Sequence, residues 1–284
     1  MADTLVNHDC TCEGNPLVPQ ICVVSKITVE TPDTKTFRVQ TLDGKKPFDP
    51  KPGQLGMFSL IGIGEGMFSI TAKGEGYIDF AIKRCGMLTD ALHEMSVGQK
   101  VGVRGPYGNT FPTEGCKGKD MLFIGGGIGL APVRSFIRYA FENRADYGKI
   151  DIVYGARSAD DLVFKEDLNT NWPKEPNTEV HVTVDRESDN WSGHVGFVPA
   201  YLEELNFSPE NRMVVLCGPP IMIKFCLEGL VKMGFSDEQI ITTLEMRMKC
   251  GIGKCGRCNI GSKYICLDGP VFTQAELRDL PNEF

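Results

Sequence analysis

The feature of this sequence that most restricts its fold is a group of cysteines near the C-terminus. Cys250, Cys255, Cys258 and Cys266 follow the spacing C-x4-C-x2-C-x7-C, which is the ligand pattern of plant-type 2Fe–2S clusters. Such a site needs a tight loop that bends three thiolates around one inorganic core and a fourth thiolate that returns after a short excursion. We therefore predict that these four cysteines bind a 2Fe–2S cluster.

The glycines between these cysteines support that prediction. Gly251, Gly253, Gly256 and Gly261 are expected to adopt positive φ angles and to permit the close backbone approach that the loop requires. Their amide hydrogens are expected to point at the sulfur atoms and to offset the negative charge of the cluster.

Two other uses of the cysteines are a structural zinc site and a pair of disulfides. Structural zinc usually has two C-x2-C knuckles, whereas this segment has one knuckle and a C-x4-C step. Disulfides need an oxidising compartment, and nothing in the sequence indicates one. Both alternatives stay open but are disfavoured.

Composition narrows the class of protein. The 284 residues carry a net charge of −7, which argues against nucleic acid as a partner because phosphate binding needs a basic face. No apolar run is long enough to predict a membrane-spanning helix, and the N-terminus lacks the pattern of a secretory signal. The expectation is a cytoplasmic redox protein with no membrane span.

The chain divides into four predicted parts. Residues 1–18 form a polar arm with Cys10 and Cys12, which are expected to be a free, exposed pair. Residues 19–114 contain short β-rich runs separated by Gly, Pro and Asp, which predict a small antiparallel barrel interrupted by one helix at 88–95. Residues 115–245 alternate strands with helices, including a helix at 161–168, and predict a parallel sheet covered on both faces. Residues 246–284 form the cluster module and tail.

Two turns of the parallel sheet carry a nucleotide-binding signal. The run Gly125-Gly126-Gly127-Ile128-Gly129 joins an apolar strand to a helix, at the position where a dinucleotide pyrophosphate binds helix amides. Cys217-Gly218-Pro219-Pro220 ends a later strand, where the cysteine is either a contact of a nicotinamide ring or a buried thiol. In the barrel, residues 86–89 open the helix with free N–H groups and a hydroxyl, which would suit a pyrophosphate.

These motifs in this order resemble the ferredoxin–NADP reductase superfamily. Gly105-Pro106-Tyr107-Gly108, the glycine run, Cys217-Gly218-Pro219-Pro220 and the tail from Glu245 to Phe272 are similar to its iron–sulfur branch. That branch holds the electron-transfer subunit of class B dihydroorotate dehydrogenase, the B component of anaerobic sulfite reductase and the gamma subunits of nickel–iron hydrogenases. The resemblance covers about residues 17–275.

The resemblance implies FAD on the barrel, NAD(P) on the α/β domain and the cluster close to the flavin. The implied FAD contacts are Met67, Phe68, Ser69, Ile82, Lys83, Gly86, Leu88 and Thr89. The implied NAD(P) contacts are Gly126, Gly127, Ile128, Gly129, Ala156, Arg157, Ser158, Asp185, Cys217, Gly218 and Pro219. The arginine and proline of the family's flavin motif are replaced by Gly66 and Met67, so Lys83, Arg84 or the amides of residues 86–89 would meet the flavin phosphates.

The activity so implied is an NAD(P)H-dependent flavoprotein oxidoreductase. Nicotinamide passes a hydride whereas a 2Fe–2S cluster accepts one electron, and a flavin converts between the two. Arg157 and Ser158 would suit the 2′-phosphate of NADP, whereas Asp185 would repel it, and the balance favours NAD(H). Because the chain contains no site for a terminal substrate, we expect a catalytic or iron–sulfur partner subunit in a hetero-oligomeric complex. The alternatives are a dihydroorotate dehydrogenase partner, a self-contained reductase and a non-catalytic redox sensor.

Overall fold

Six antiparallel strands close into a barrel in the first third of the structure, a computed structural model that describes residues 15–281. The strands are β1 (Gln20–Thr31), β2 (Thr34–Thr41), β3 (Leu55–Leu60), β4 (Gly64–Gly74), β5 (Tyr77–Lys83) and β6 (Lys100–Tyr107). Their order around the barrel is β1-β2-β5-β4-β3-β6, and helix α1 (Met87–His93) connects β5 to β6. The predicted barrel with an inserted helix is confirmed. Cys10 and Cys12 of the predicted arm lie outside the described residues.

The barrel interior is filled by aromatic side chains from three strands. Phe37, Phe58 and Phe80 are fully buried, and Phe58 meets the other two edge-to-face at centroid distances of 6.1 and 5.4 Å. Alternate residues of a strand face the same side, so β5 contributes Ile78 and Ile82 to the same interior. Each such side chain stabilises the fold by roughly 1.5–3 kcal/mol through burial.

A seven-stranded sheet follows the barrel. Its strands are β7 (Asp120–Gly126), β8 (Ile150–Ala156), β9 (Thr178–Val184), β10 (His194–Val195), β11 (Arg212–Cys217), β12 (Ile240–Thr243) and β15 (Val271–Thr273). They lie in the order β10-β9-β8-β7-β11-β12-β15, and all neighbours are parallel except β12 and β15. The covering helices are α2 (Leu130–Glu142), α3 (Val198–Leu205) and α4 (Pro220–Lys232). Within residues 15–281, no helix is long and apolar enough to cross a membrane.

The central strand β7 shows why this sheet needs helices on both faces. Met121 and Phe123 pack with α2 on one face, whereas Leu122 and Ile124 pack with α3 and α4 on the other. All four side chains are fully buried. A strand that is apolar at every position can lie only between two covered faces, and the predicted parallel α/β sheet is confirmed.

The helix predicted over 161–168 is wrong in its first half, because helical conformation begins only at Lys165. A 3-10 turn ends at Asp161, and a π-helical segment spans Asp167–Asn171. Between them Phe164 adopts a φ of 54°, which a helix does not accommodate. Its N–H donates to the Glu30 carboxylate of the barrel at 2.9 Å, and the Arg134 guanidinium lies over its ring. These contacts with other elements override the local helical pattern.

The cluster module returns to the sheet at its end. After the cysteine loop come β13 (Asn259–Ile260), β14 (Lys263–Tyr264), α5 (Ile265–Asp268), β15 and α6 (Gln274–Arg278). Strand β15 pairs antiparallel with β12, which the sequence did not predict. The Leu244 N–H donates to the Pro270 carbonyl at 2.8 Å next to this pairing. The domain boundaries at residues 18, 114 and 245 stay predictions.

A buried ion pair joins the two strands that flank β7, close to their amino ends. The Arg212 guanidinium of β11 donates to the Asp151 carboxylate of β8 at 2.7 Å, and both side chains are buried. Lys149 lies 3.2 Å from the other oxygen of Asp151. Burial raises the pKa of Asp151, but His181, Arg212 and Lys149 outweigh it and hold the pKa below its usual range. The carboxylate is therefore charged inside the fold.

We expect Arg212→Met to lower the free energy of unfolding by about 3 kcal/mol at pH 7, because it leaves a buried carboxylate with weaker compensation. Urea denaturation followed by circular dichroism measures this, with Lys232→Met on the exposed face of α4 as control. Since the pKa of Asp151 is lowered by folding, the pair stabilises the fold above about pH 4, and that contribution is lost as pH falls further. The difference in free energy of unfolding between the parent and Arg212→Met should therefore shrink below about pH 4. Equal free energies of unfolding at pH 7 would contradict a stabilising role of the ion pair.

Candidate functional site

A cavity of about 780 Å³ lies at the carboxyl ends of the parallel strands. That volume is within the range of cofactor pockets. Ten predicted contacts line it: Lys83, Gly126, Gly127, Ile128, Gly129, Ala156, Arg157, Asp185, Gly218 and Pro219. Glu245, just before the cluster module, also lines it. Sequence reasoning missed Asp33 and Thr34 from the barrel and the exposed Phe197, Ile221 and Phe225. These come from separate loops and strands, so no local pattern joins them.

Two positions of the predicted nucleotide-binding run suit glycine for different physical reasons. A Cβ on Gly129 would lie 2.6 Å from the Cys217 carbonyl, so only glycine lets the turn pass the end of β11. Gly127 has a φ of 53° and open space where a Cβ would point. Its backbone is therefore accessible from the cavity, as a pyrophosphate contact requires.

Several charged side chains lie together at one end of the cavity. Arg157 donates to Asp161 at 2.7 Å, and the Ser158 hydroxyl donates to the other oxygen of the same carboxylate at 2.8 Å. Burial and the Asp161 carboxylate raise the pKa of Asp185, against the opposing effect of Arg186 and Arg157. The two groups predicted to suit a 2′-phosphate thus already bind a carboxylate, which sequence spacing did not reveal.

Cys217 lies behind the cavity wall. Its side chain is buried, and the Thr243 hydroxyl donates to its sulfur at 3.0 Å. Burial raises the pKa of this thiol to about 12, so it is a neutral thiol at physiological pH. It is not among the cavity-lining residues, and its predicted contact with a nicotinamide stays a prediction.

The strand predicted to contact the flavin, β4, has an accessible flank. Met67, Phe68 and Ser69 are half-buried, although the next residue, Ile70, belongs to the barrel core. Among residues 15–281 the Ser69 hydroxyl has no hydrogen-bond partner. An uncovered strand with a spare hydroxyl fits a ring system placed against it. Ile82, in contrast, is fully buried inside the barrel.

The cations near this strand are already paired. Lys83 lies 3.2 Å from Asp33, and Arg84 lies 2.8 Å from Asp90. Thr89 uses its hydroxyl within its own turn, donating to the Gly86 carbonyl and accepting from the Cys85 N–H. Leu88 packs against the barrel core, and Gly86 is exposed. A flavin phosphate would therefore bind chiefly to backbone, or replace one of these carboxylates.

The cysteine loop has the conformation that its glycines predicted. Gly251, Gly253, Gly256 and Gly261 have φ angles of 80°, 68°, 70° and 54°, which confirms the prediction. The Gly253 N–H donates to the Cys266 sulfur at 3.2 Å, and the Ile252 N–H donates to the Cys250 sulfur at 3.4 Å. A Cβ on Gly253 would lie 2.2 Å from the Leu267 side chain, so the tight turn excludes larger residues.

The thiol of Cys250 neighbours that of Cys255, and the thiol of Cys258 neighbours that of Cys266. Burial raises the pKa of Cys250, but backbone N–H groups and the Cys255 thiol outweigh it and lower that pKa to about 7. Cys258 and Cys266 are buried, whereas Cys255 is exposed. Two neighbouring pairs of sulfurs, with N–H donors aimed at Cys250 and Cys266, fit a 2Fe–2S cluster.

Arg104 of β6 fixes this loop to the barrel. Its guanidinium is buried and donates to the carbonyls of Cys250 and Lys249 at 2.7 and 3.2 Å. It also donates to the Tyr107 hydroxyl at 2.8 Å and pairs with Glu65 of β4 at 2.9 Å. One side chain therefore joins a first cluster ligand to the strand predicted to contact the flavin. Sequence reasoning missed Arg104, because a lone arginine in a strand carries no motif.

An apolar contact adds to this attachment. Met67 of β4 packs against the buried barrel residues Leu55, Met57 and Tyr107, and Met248 and Ile252 of the cysteine loop pack against the same three. The residue that replaces the family's proline in the flavin motif therefore shares an apolar support with the cysteine loop.

Comparison with known proteins agrees with this geometry. Residues 123–228 match the model of the oxidoreductase NAD-binding domain, and residues 245–278 match that of the iron-sulfur cluster binding domain of dihydroorotate dehydrogenase B. The chain is 39% identical to sulfhydrogenase 1 subunit gamma of Pyrococcus furiosus, over 89% of each chain. It is 33% identical to a probable dihydroorotate dehydrogenase B electron transfer subunit of Methanocaldococcus jannaschii, over 92% of this chain and 91% of that protein.

Solved structures agree on the fold. A chain of the NADH-dependent reduced ferredoxin-NADP oxidoreductase superposes with a TM-score of 0.74 at 24% identity, covering 95% of this chain and 91% of that chain. The cytochrome b5 reductase domain of Ulva prolifera nitrate reductase superposes with a TM-score of 0.66 at 23% identity, over 80% of this chain and 98% of that chain. The expected superfamily fold is therefore confirmed.

We expect Arg104→Met to loosen the cluster loop, because the carbonyls of Lys249 and Cys250 lose a buried charged donor that contributes about 1.5–3 kcal/mol per bond. In the cluster-loaded protein, an iron chelator should remove iron at least several-fold faster than from the parent. Lys100→Met, at the exposed start of the same strand, is the matched control. Equal rates of iron loss in the parent and Arg104→Met would contradict the anchoring role.

Proposed function

Since the chain belongs to the family of sulfhydrogenase gamma subunits and dihydroorotate dehydrogenase B electron-transfer subunits, we propose that it transfers electrons between NAD(P)H and a partner redox subunit. It does so as a flavoprotein oxidoreductase with FAD on the barrel and one 2Fe–2S cluster on the cysteine loop. The observation that carries the proposal is the Arg104 guanidinium, which pairs with Glu65 of β4 and donates to the carbonyls of Lys249 and Cys250. It attaches the strand predicted to contact the flavin to the loop predicted to hold the cluster.

When bound, FAD and the cluster supply the exchange between two-electron hydride transfer and single-electron transfer. The chain's own residues position the reactants. Gly127 offers its backbone to the nucleotide, and Met67 to Ser69 form the open flank of β4 for the flavin. Cys250, Cys255, Cys258 and Cys266 hold the cluster, and Arg104 keeps their loop against the barrel. No acid–base pair is required of the protein.

The proposed partner is a catalytic or iron–sulfur subunit of a hetero-oligomer, and the proposed type is that of a hydrogenase gamma subunit. The 39% identity to a sulfhydrogenase gamma subunit, against 33% to a dihydroorotate dehydrogenase B electron-transfer subunit, supports this order of preference. Co-purification with an orotate-reducing subunit instead of a hydrogenase-like or sulfite-reductase-like one would reverse it. The proposed compartment is the cytoplasm, where the free thiols Cys22, Cys85, Cys116 and Cys226 remain reduced.

We expect the purified, loaded protein to show flavin bands and broad 2Fe–2S absorbance that bleach with stoichiometric NADH under anaerobic conditions. Viologen dyes should then be reduced rapidly. In Cys255→Ser, flavin reduction by NADH should persist while the cluster absorbance and dye reduction fall, with Cys85→Ser as the control for loss of an exposed thiol. A colourless zinc protein would refute electron transfer, and slow turnover with intact cofactors would favour the redox sensor.

We expect NADH to be preferred over NADPH, because the Asp161 carboxylate already accepts hydrogen bonds from Arg157 and Ser158. The carboxylate of Asp185, at the same end of the cavity, would in addition repel a 2′-phosphate. Asp161→Asn frees the cation for a 2′-phosphate and should reduce the ratio of kcat/KM for NADH to that for NADPH by about 10-fold, or about 1.4 kcal/mol. Steady-state dye reduction measures the ratio. Asp160→Asn, on the adjacent exposed carboxylate, is the matched control, and an unchanged ratio in Asp161→Asn would refute the charge argument.

A further inference from the structure

The segment that surrounds the cluster ligands is basic within a chain that is acidic overall. Residues 246–267 contain five cations and no carboxylate, whereas the whole chain has a net charge of −7. The five are Arg247, Lys249, Lys254, Arg257 and Lys263. The positive charge of this module is therefore concentrated in one short stretch of the chain.

These cations are exposed and largely unpaired. All five belong to exposed residues, and Lys263 lies 3.8 Å from Asp268. Within the described part of the chain, the other four have no salt-bridge partner. Elsewhere on the surface, cations such as Lys46, Arg84 and Arg157 lie within 3 Å of a carboxylate. The cluster module thus retains positive charge that no carboxylate of the described residues neutralises.

The same surface is where the cluster is least covered. Cys255 is the one exposed ligand, and it stands between Lys254 and Arg257 in sequence, next to Gly256. Gly256 has a φ of 70°, and no atom lies within 4 Å of where its Cβ would point. An open concavity of about 660 Å³ adjoins it and is lined by Glu245, Met246, Arg247, Gly256 and Arg257. The exposed cluster ligand therefore lies in a stretch of chain whose charged neighbours, Lys254 and Arg257, are both cations.

We propose that this surface, formed by Arg247 and residues 254–257, binds the acidic face of a protein that carries the redox centre exchanging electrons with this chain. Opposite charges raise the rate of encounter and fix the orientation of a partner. A nucleic acid would satisfy the charge, but it has no redox centre for the exposed ligand to serve. The proposal specifies the charge of the partner that the proposed function requires, and it rests on that function.

Exposed cations also lie near the negative charge of a thiolate-bound cluster. Interactions between solvent-exposed charges are screened by water and salt over about 8–10 Å, whereas the N–H groups of Ile252 and Gly253 contact the sulfurs directly. The backbone therefore accounts for stabilisation of the cluster. The exposed side chains remain available for a partner.

Binding of two small haem proteins tests the proposal without turnover. Acidic cytochrome b5 and basic cytochrome c, both oxidised, would be titrated against the loaded chain at low and high ionic strength. The variants are K254E/R257E and, as a charge-matched control on the barrel, K26E/K100E, whose lysines are also exposed. We expect cytochrome b5 to bind the parent, and the loop variant to weaken that binding by at least about 10-fold, as loss of electrostatic complementarity predicts.

The control variant should bind within about 2-fold of the parent, and added salt should abolish the difference. Electron paramagnetic resonance of the reduced cluster verifies that K254E/R257E retains full cluster content. Weaker binding in both variants alike, or no preference for cytochrome b5 over cytochrome c, would overturn the proposal. Binding as expected without NADH-dependent dye reduction would refute the proposed function alone.

Discussion

The buried guanidinium of Arg104 is the interaction on which the arrangement of the sites depends. It donates hydrogen bonds to two carbonyls of the cysteine loop and to the Tyr107 hydroxyl, and it forms an ion pair with the Glu65 carboxylate. A buried cation is tolerated only when its donors are matched, so the barrel and the loop can meet only in an arrangement that supplies these acceptors. The position of β4 relative to Cys250, the first predicted cluster ligand, is thereby constrained by one side chain.

The nucleotide cavity is built on a different principle. Its walls come from the barrel, from the carboxyl ends of the sheet and from Glu245, and its rim carries the exposed Phe197, Ile221 and Phe225. Apolar groups left exposed beside a cavity favour a ligand that enters and leaves. The loop of the resident cluster is bound by buried polar contacts, whereas the place for the exchangeable reactant is open.

Much of this was predictable from the residues. The cysteine spacing, the glycines with positive φ and the alternation of strands and helices are local patterns, and each corresponds to a local structure. What escaped prediction was long-range. Arg104 contacts carbonyls about 145 residues away, Phe164 leaves the helical conformation for a contact with Glu30, and Asp161 occupies Arg157 and Ser158. Partners so placed depend on the tertiary fold, which spacing within one segment does not encode.

Strand β15 makes the parallel sheet depend on the cluster module that follows it in sequence. The edge of β12 is covered by three residues that follow all four cluster ligands in sequence. An uncovered edge strand is a template for intermolecular pairing. The cluster module therefore cannot be removed at its sequence boundary as an appendage, because the sheet of the neighbouring domain would lose its protected edge. In recombination between related proteins, the α/β domain and the cluster module would therefore have to be exchanged together. Otherwise the new combination would need a β15 that pairs with the new β12.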